Sequence, residues 1–147
     1  MGEFTRSDTL NNNTGNKDIN SKTVRSKTIN AGIRNLVLIT VGQSNMMNVN
    51  PSAYSPSNPT VLDNFNVYNG QMYAAADPLL GTTTASQGGS YGLGNTASRI
   101  GDKLITNDTF DRVILVPISI GGTIAVHWQE CGVLYNRINA AMNRLAS

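Results

Sequence analysis

The sequence predicts an α/β domain of three layers with a mostly parallel sheet. Two short apolar runs, residues 36–41 and 113–120, favour β structure, and each ends beside a glycine. A helix-patterned stretch follows each run, which gives the strand–loop–helix rhythm of α/β folds. The chain has 147 residues. That length supports one core of its own and is too short for two domains.

Each element has its own warrant. Residues 1–33 are rich in Ser, Thr, Lys and Asn, including three consecutive asparagines at 11–13. They offer little apolar surface to bury and read as a flexible or assembly arm ahead of a domain at 34–147. Order in such an arm has to come from outside it, from a partner or another copy. Leu36, Val37, Leu38, Ile39 and Val41 form a run that fits a strand buried on both faces. Residues 50–64 carry Pro51, Pro56 and Pro59 and read as a loop. Residues 65–68 alternate weakly and stop at Asn69-Gly70, a turn signal. Residues 77–91, rich in Gly, Thr and Ser, read as a second loop. Ala97, Ile100, Leu104 and Ile105 place one apolar stripe on a helix over 95–105. The second strand, from 113, runs into Gly121-Gly122-Thr123. Leu134, Ile138, Ala141, Met142 and Leu145 repeat at three- and four-residue intervals and mark a final helix.

Composition removes several function classes. Hydrophobic residues make up 39% and charged residues 14%, with a net charge of +2. The basic residues are scattered, so no footprint for nucleic acid or an anionic membrane is present. The single cysteine, Cys131, cannot form an internal disulfide and reads as a half-buried, inert thiol. No Cys/His cluster has metal-ligand spacing, so no metal or other cofactor is expected. The longest apolar run falls far below the roughly 20 residues of a membrane span. The N-terminus lacks the apolar region of a secretion signal.

In open α/β sheets, ligands bind beyond the carboxyl ends of strands. Both strand exits, at Gly42 and Gly121, fall there. Ser44 follows Gly42 by two residues, and a helix starting near Asn45 would aim its N–H groups at an oxyanion formed beside Ser44. Serine is a weak nucleophile and needs a base within hydrogen-bond reach. From the residues alone, Gly42-Gln43-Ser44-Asn45 also reads as a strand-to-helix turn with a serine cap, and Gly121-Gly122 as a bare turn.

Leu38-Ile39-Thr40-Val41-Gly42-Gln43-Ser44-Asn45-Met46 closely resembles the first block of the sialate O-acetylesterase-like carbohydrate esterases, members of the SGNH hydrolase superfamily. The resemblance continues through Ala75-Ala76-Asp77-Pro78-Leu79 and Gly92-Leu93-Gly94. It returns at Val116-Pro117-Ile118-Ser119-Ile120-Gly121-Gly122-Thr123-Ile124, at Trp128 and at Leu134-Tyr135. It spans residues 36–145, and its first and Gly-Gly-Thr blocks are the specific ones. It implies a flavodoxin-like three-layer fold. It makes Ser44 the nucleophile, with its own N–H and that of Gly122, or of Gly121, as oxyanion donors. Gln43, Asn45 and Trp128 then fall on the substrate side, although Trp128 is equally suited to burial against the last helix.

The chain departs from the family pattern in two places. The family's Trp-x-Gln-Gly-Glu-like third block and its Asp-x-x-His, which supplies the base and its orienting acid, have no counterpart before Ser147. The sole histidine, His127, lies five residues after Gly122 and is the candidate base or substrate contact. Asp77, ahead of a proline, reads as an organiser of its loop.

The expected function is removal of O-acetyl groups from carbohydrates through an acyl-enzyme on Ser44. The fold is expected to be incomplete. Two alternatives stand beside it: a catalytically silent structural or glycan-binding module, and a fragment whose sheet a second copy or partner chain completes. In the fragment reading, the unpaired edge belongs to the strand at 113–118. The substrate class points to an extracellular or virion-associated setting.

Overall fold

A computed structural model of the chain describes residues 15–84 and 93–147. Residues 1–14, with the asparagine run of the expected arm, lie outside the described residues. So do 85–92, with the end of the expected second loop and Gly92.

The described chain is α/β. Its strands are β1 (Val24–Arg25), β2 (Asn35–Thr40), β3 (Leu62–Asn66), β4 (Gln71–Ala74) and β5 (Arg112–Pro117). Its helices are α1 (Thr96–Thr106), α2 (Ala125–Trp128) and α3 (Tyr135–Ala146). The five strands form one sheet in the order β1-β4-β3-β5-β2. β3, β5 and β2 run parallel, whereas β1 and β4 are antiparallel to their neighbours. The sheet is therefore mixed rather than mostly parallel. The cause is the Asn69-Gly70 turn, which folds β4 straight back on β3. Gly70 takes φ +71, and the Asn66 and Asn69 side chains accept from the Tyr68 and Gln71 N–H groups.

The core lies on both faces of β5, all six residues of which are buried. Val113 and Leu115 pack with Leu62, Leu79 and Ala97, with Leu104 and Ile105 of α1 against them. Ile114 and Val116 pack with Phe65, Trp128, Leu134 and Ala141 on the side of α2 and α3. Each buried Val, Ile or Leu side chain contributes roughly 1.5–3 kcal/mol. The period-2 alternation of β5 thus feeds two helix layers, and its carboxyl end opens between them.

Two sequence expectations change here, the open edge and the end of the loop expected at 50–64. β5 has neighbours on both sides, so among the described residues the edge strands are β1 and β2, and not the strand at 113–118. The described part of the arm, 15–33, lies along the body. β1 pairs with β4, Asn16 N–H donates to Thr82 O at 2.7 Å, and Lys27 Nζ reaches Arg144 O at 2.9 Å. Its order comes from these contacts. The loop expected to 64 ends earlier, because Leu62, Asp63 and Asn64 belong to β3 and are buried.

Candidate active site

The segment after β2 turns at Gly42, where φ is +133, a value that favours glycine. Ser44 then opens a single 3-10 turn, Ser44–Met46, held by Met46 N–H to Gln43 O (3.0 Å) and Met47 N–H to Ser44 O (3.1 Å). No α-helix starts at Asn45, so the expected helix-dipole contribution is missing. Gln43, Ser44 and Asn45 are exposed.

The segment after β5 meets this turn. Gly42 O accepts from Ile120 N–H at 3.0 Å and from the Thr123 hydroxyl at 3.1 Å. Met47 packs on Gly121 so closely that an added Cβ would lie 3.0 Å from its sulfur. Gly122 is exposed, with φ +75 and open space where a Cβ would stand. Ser44 and the Gly121-Gly122 pair are thus carried on two touching loops at the carboxyl end of the parallel strands. Among the described residues, none accepts from the N–H of Ser44, Gly121 or Gly122, and none hydrogen-bonds the Ser44 hydroxyl.

A shell of buried polar side chains holds these loops. Asn48, 0% exposed, exchanges bonds with Leu79 (2.8 and 3.0 Å) and accepts from Asn95, which also reaches Met46 O at 3.3 Å. The Thr82 hydroxyl donates to Ser119 O at 3.1 Å, and the Ser119 hydroxyl to Thr40 O at 3.1 Å. Buried polar groups are costly unless paired, and these are paired. Sequence reasoning assigned none of them a role. Asn, Ser and Thr are common on surfaces, so their burial leaves no sequence signal.

Trp128 is not an open wall for a sugar. It is 8% exposed and sits in the core with Leu134 and Ala141, its indole N–H donating to the Thr123 hydroxyl at 3.0 Å. Through that bond it braces the loop that Thr123 ties to Gly42. His127 is half-buried, and its Nδ1 accepts the Ile124 N–H at 3.3 Å. The Ile124 N–H thus engages Nδ1 as an acceptor. Cys131, expected half-buried, is exposed.

Asp77 organises its loop as its sequence position suggests. Its carboxylate accepts from Tyr54 N–H, Asn95 N–H and the Ser98 hydroxyl at 3.0, 3.0 and 2.6 Å. A cavity of about 340 Å³ opens at the other end of the sheet, where Arg112 and Asp63 pair at 2.7 Å. It lies at the start of β3 and β5, away from Ser44. Among the described residues no group of three or more His, Cys, Asp or Glu side chains is placed to hold a metal. No described helix is long and apolar enough to cross a membrane.

Comparison of the chain with protein-family models, curated proteins and solved structures finds no match.

Proposed function

We propose that the chain carries the ester-hydrolysing site of an SGNH-type serine esterase, with carbohydrate O-acetyl groups as substrate. The observation that carries this reading is the meeting of two loops at the sheet's carboxyl edge. They present one exposed serine hydroxyl and three backbone N–H groups with no acceptor among the described residues. In the proposed reaction Ser44 Oγ attacks the ester carbonyl, and the N–H groups of Ser44 and Gly122 receive the oxyanion. Collapse of the tetrahedral intermediate breaks the bond to the sugar oxygen, which takes the Ser44 proton relayed through water and leaves as a hydroxyl; water then attacks the acetyl-serine, returning a proton to Ser44 Oγ and releasing acetate with the second proton. The flavodoxin-like, SGNH-type arrangement belongs to this proposal, which the parallel set β3-β5-β2 supports.

The test is hydrolysis of an aryl acetate by wild type and Ser44→Ala. The expected result is slow turnover that falls further in Ser44→Ala. Without a base held by a partner acid, the rate should rise little above the roughly 10³–10⁴-fold over water that oxyanion donors and binding retain on their own. Equal rates for the two proteins would remove Ser44 from the chemistry. One observation favours a second reading, a catalytically silent glycan-binding module: His127 Nδ1 is occupied by the Ile124 N–H. Binding of O-acetylated oligosaccharide without acetate release would select that reading.

A further inference from the structure

Arg137, the third residue of α3, is 0% exposed. Two physical rules are broken at this position. A cation in the first helical turn opposes the helix dipole. A buried charge without a counter-ion is costly, and Arg137 pairs with no carboxylate among the described residues. Its Nη1 is buried and has no hydrogen-bond partner among the described residues. Its charge is met by carbonyl and hydroxyl oxygens and by the Tyr68 ring, 5.6 Å from the guanidinium carbon, rather than by a carboxylate, and where a residue breaks local rules its reason is sought at a functional site.

The remaining contacts point to that site. Nε donates to Ile118 O at 2.9 Å, and Nη2 to Gly81 O at 3.0 Å and to the Tyr68 hydroxyl at 2.9 Å. Ile118 directly follows β5 and stands four residues before Gly122. Gly81, with φ +99, packs on Pro117 so tightly that a Cβ would collide with the Pro117 carbonyl. The next residue, Thr82, bonds Ser119 O. The guanidinium therefore grips the exit of β5 and its neighbouring loop from the α3 side of the sheet.

We infer that Arg137 is a positioning residue of the Ser44 site that acts through its charge: from behind the 118–122 loop it biases that loop's donors electrostatically toward an anion. The inference rests on the ester-hydrolase reading of Ser44. A neutral donor would serve the Ile118 carbonyl equally well, but only an unneutralised cation adds a field. At most about 14 Å of chain separates Ile118 from Gly122. A unit charge acting over that range through an effective dielectric of about 20 changes a rate about tenfold.

The experiment measures Ser44-dependent hydrolysis of an aryl acetate by wild type, Arg137→Met and Arg137→Lys, with near-ultraviolet circular dichroism to report folding. The assay is run at about pH 6, because burial lowers the pKa of a lysine. Arg137→Met is expected to lose about tenfold in kcat, with KM within about twofold. Arg137→Lys, which keeps the charge while losing the planar fork, is expected to stay within about threefold of wild type, because the field of a unit charge is retained. A Met variant with wild-type kcat, or a Lys variant as slow as Met, overturns the inference. Should Arg137→Met fail to fold, a loss beyond about threefold in Arg137→Lys overturns it alone. Absence of Ser44-dependent turnover in wild type overturns the esterase reading and this inference with it. Ser44-dependent turnover indifferent to Arg137 overturns only the inference.

Discussion

Asp102, 2% exposed on α1, gathers four donors onto one carboxylate: the Tyr54 hydroxyl at 2.6 Å, and the Ser57 N–H, Asn58 N–H and Asn58 amide at 2.9 Å. Burial alone would push this carboxyl up, but the hydrogen bonds prevail and hold it below the usual range. A carboxylate depressed in the folded state stabilises fully above its unfolded pKa, about 3.9, and that contribution is lost as pH falls through the folded value. Asp63 acts in the opposite sense: burial outweighs the Arg112 guanidinium and raises its carboxyl, so its contribution declines above the unfolded pKa of about 3.9, as pH rises toward the raised folded value. Acid titration of wild type is therefore expected to release the 54–58 loop below about pH 4, and Asp102→Asn should flatten that transition. Tyr54→Phe should cost about 1–2 kcal/mol in denaturant unfolding at neutral pH. An unchanged acid limb in Asp102→Asn would show that this carboxylate does not hold the loop. The same scale separates what was legible at the site. Ser44 and the glycine pair could be read because strand exits and glycines mark them. The core position of Trp128 could not, since one tryptophan serves a wall or a core equally well and its Thr123 partner lies five residues away.

At the level of elements, periodicity carried the reading where the pattern was long or wholly apolar. The helix expected at 95–105 is α1 (Thr96–Thr106), and the final helix is α3 (Tyr135–Ala146). α1 was visible through its apolar stripe; the Asn95 cap, whose side chain accepts Ala97 N–H at 2.8 Å, appears only in the structure. β3 was read only in part, since Asp63, Asn64 and Asn66 look like loop residues. They are buried because Asn64 bonds Leu80 and Leu115, and Asp63 pairs with Arg112. β1, two residues long, has no periodicity to detect. Gly101 in α1 gives an element-scale test. Helix propensity alone would favour alanine there by up to about 1 kcal/mol. An added Cβ, however, would lie 2.7 Å from Leu62 Cδ1 and 3.1 Å from Leu115 Cδ2. Overpacking costs about 1–3 kcal/mol, so Gly101→Ala is expected to destabilise on balance by about 1 kcal/mol in urea unfolding. A gain in stability would mean that α1 does not press on β3 and β5 as described.

For the whole molecule, the consequence lies at the two edges of the sheet. On one side β1, from the expected arm, covers β4. On the other, nothing among the described residues pairs with β2 beyond β5. The β2-side carbonyls that face β5 belong to even-numbered residues: Arg34, Thr40 and Gly42 accept from Arg112, Ile118 and Ile120. Successive residues of a strand direct their backbone groups to opposite sides, so Asn35, Val37, Ile39 and Val41 present theirs outward. Leu36, Val37, Leu38 and Ile39 are only half-buried, so the edge is also apolar on both faces. Such an edge is a template for pairing, and the isolated chain is expected to self-associate with rising concentration in light scattering. Val37→Pro removes one outward N–H and no N–H of the β2–β5 ladder, so it should suppress association while the circular dichroism stays native. A wild-type chain that remains monomeric throughout its soluble range would show that β2 is not a pairing surface. Association that survives Val37→Pro would move the interface elsewhere. The outcome also bears on Ser44. It stands four residues beyond the end of this strand, so a chain that docks on β2 is anchored beside the turn that carries the nucleophile.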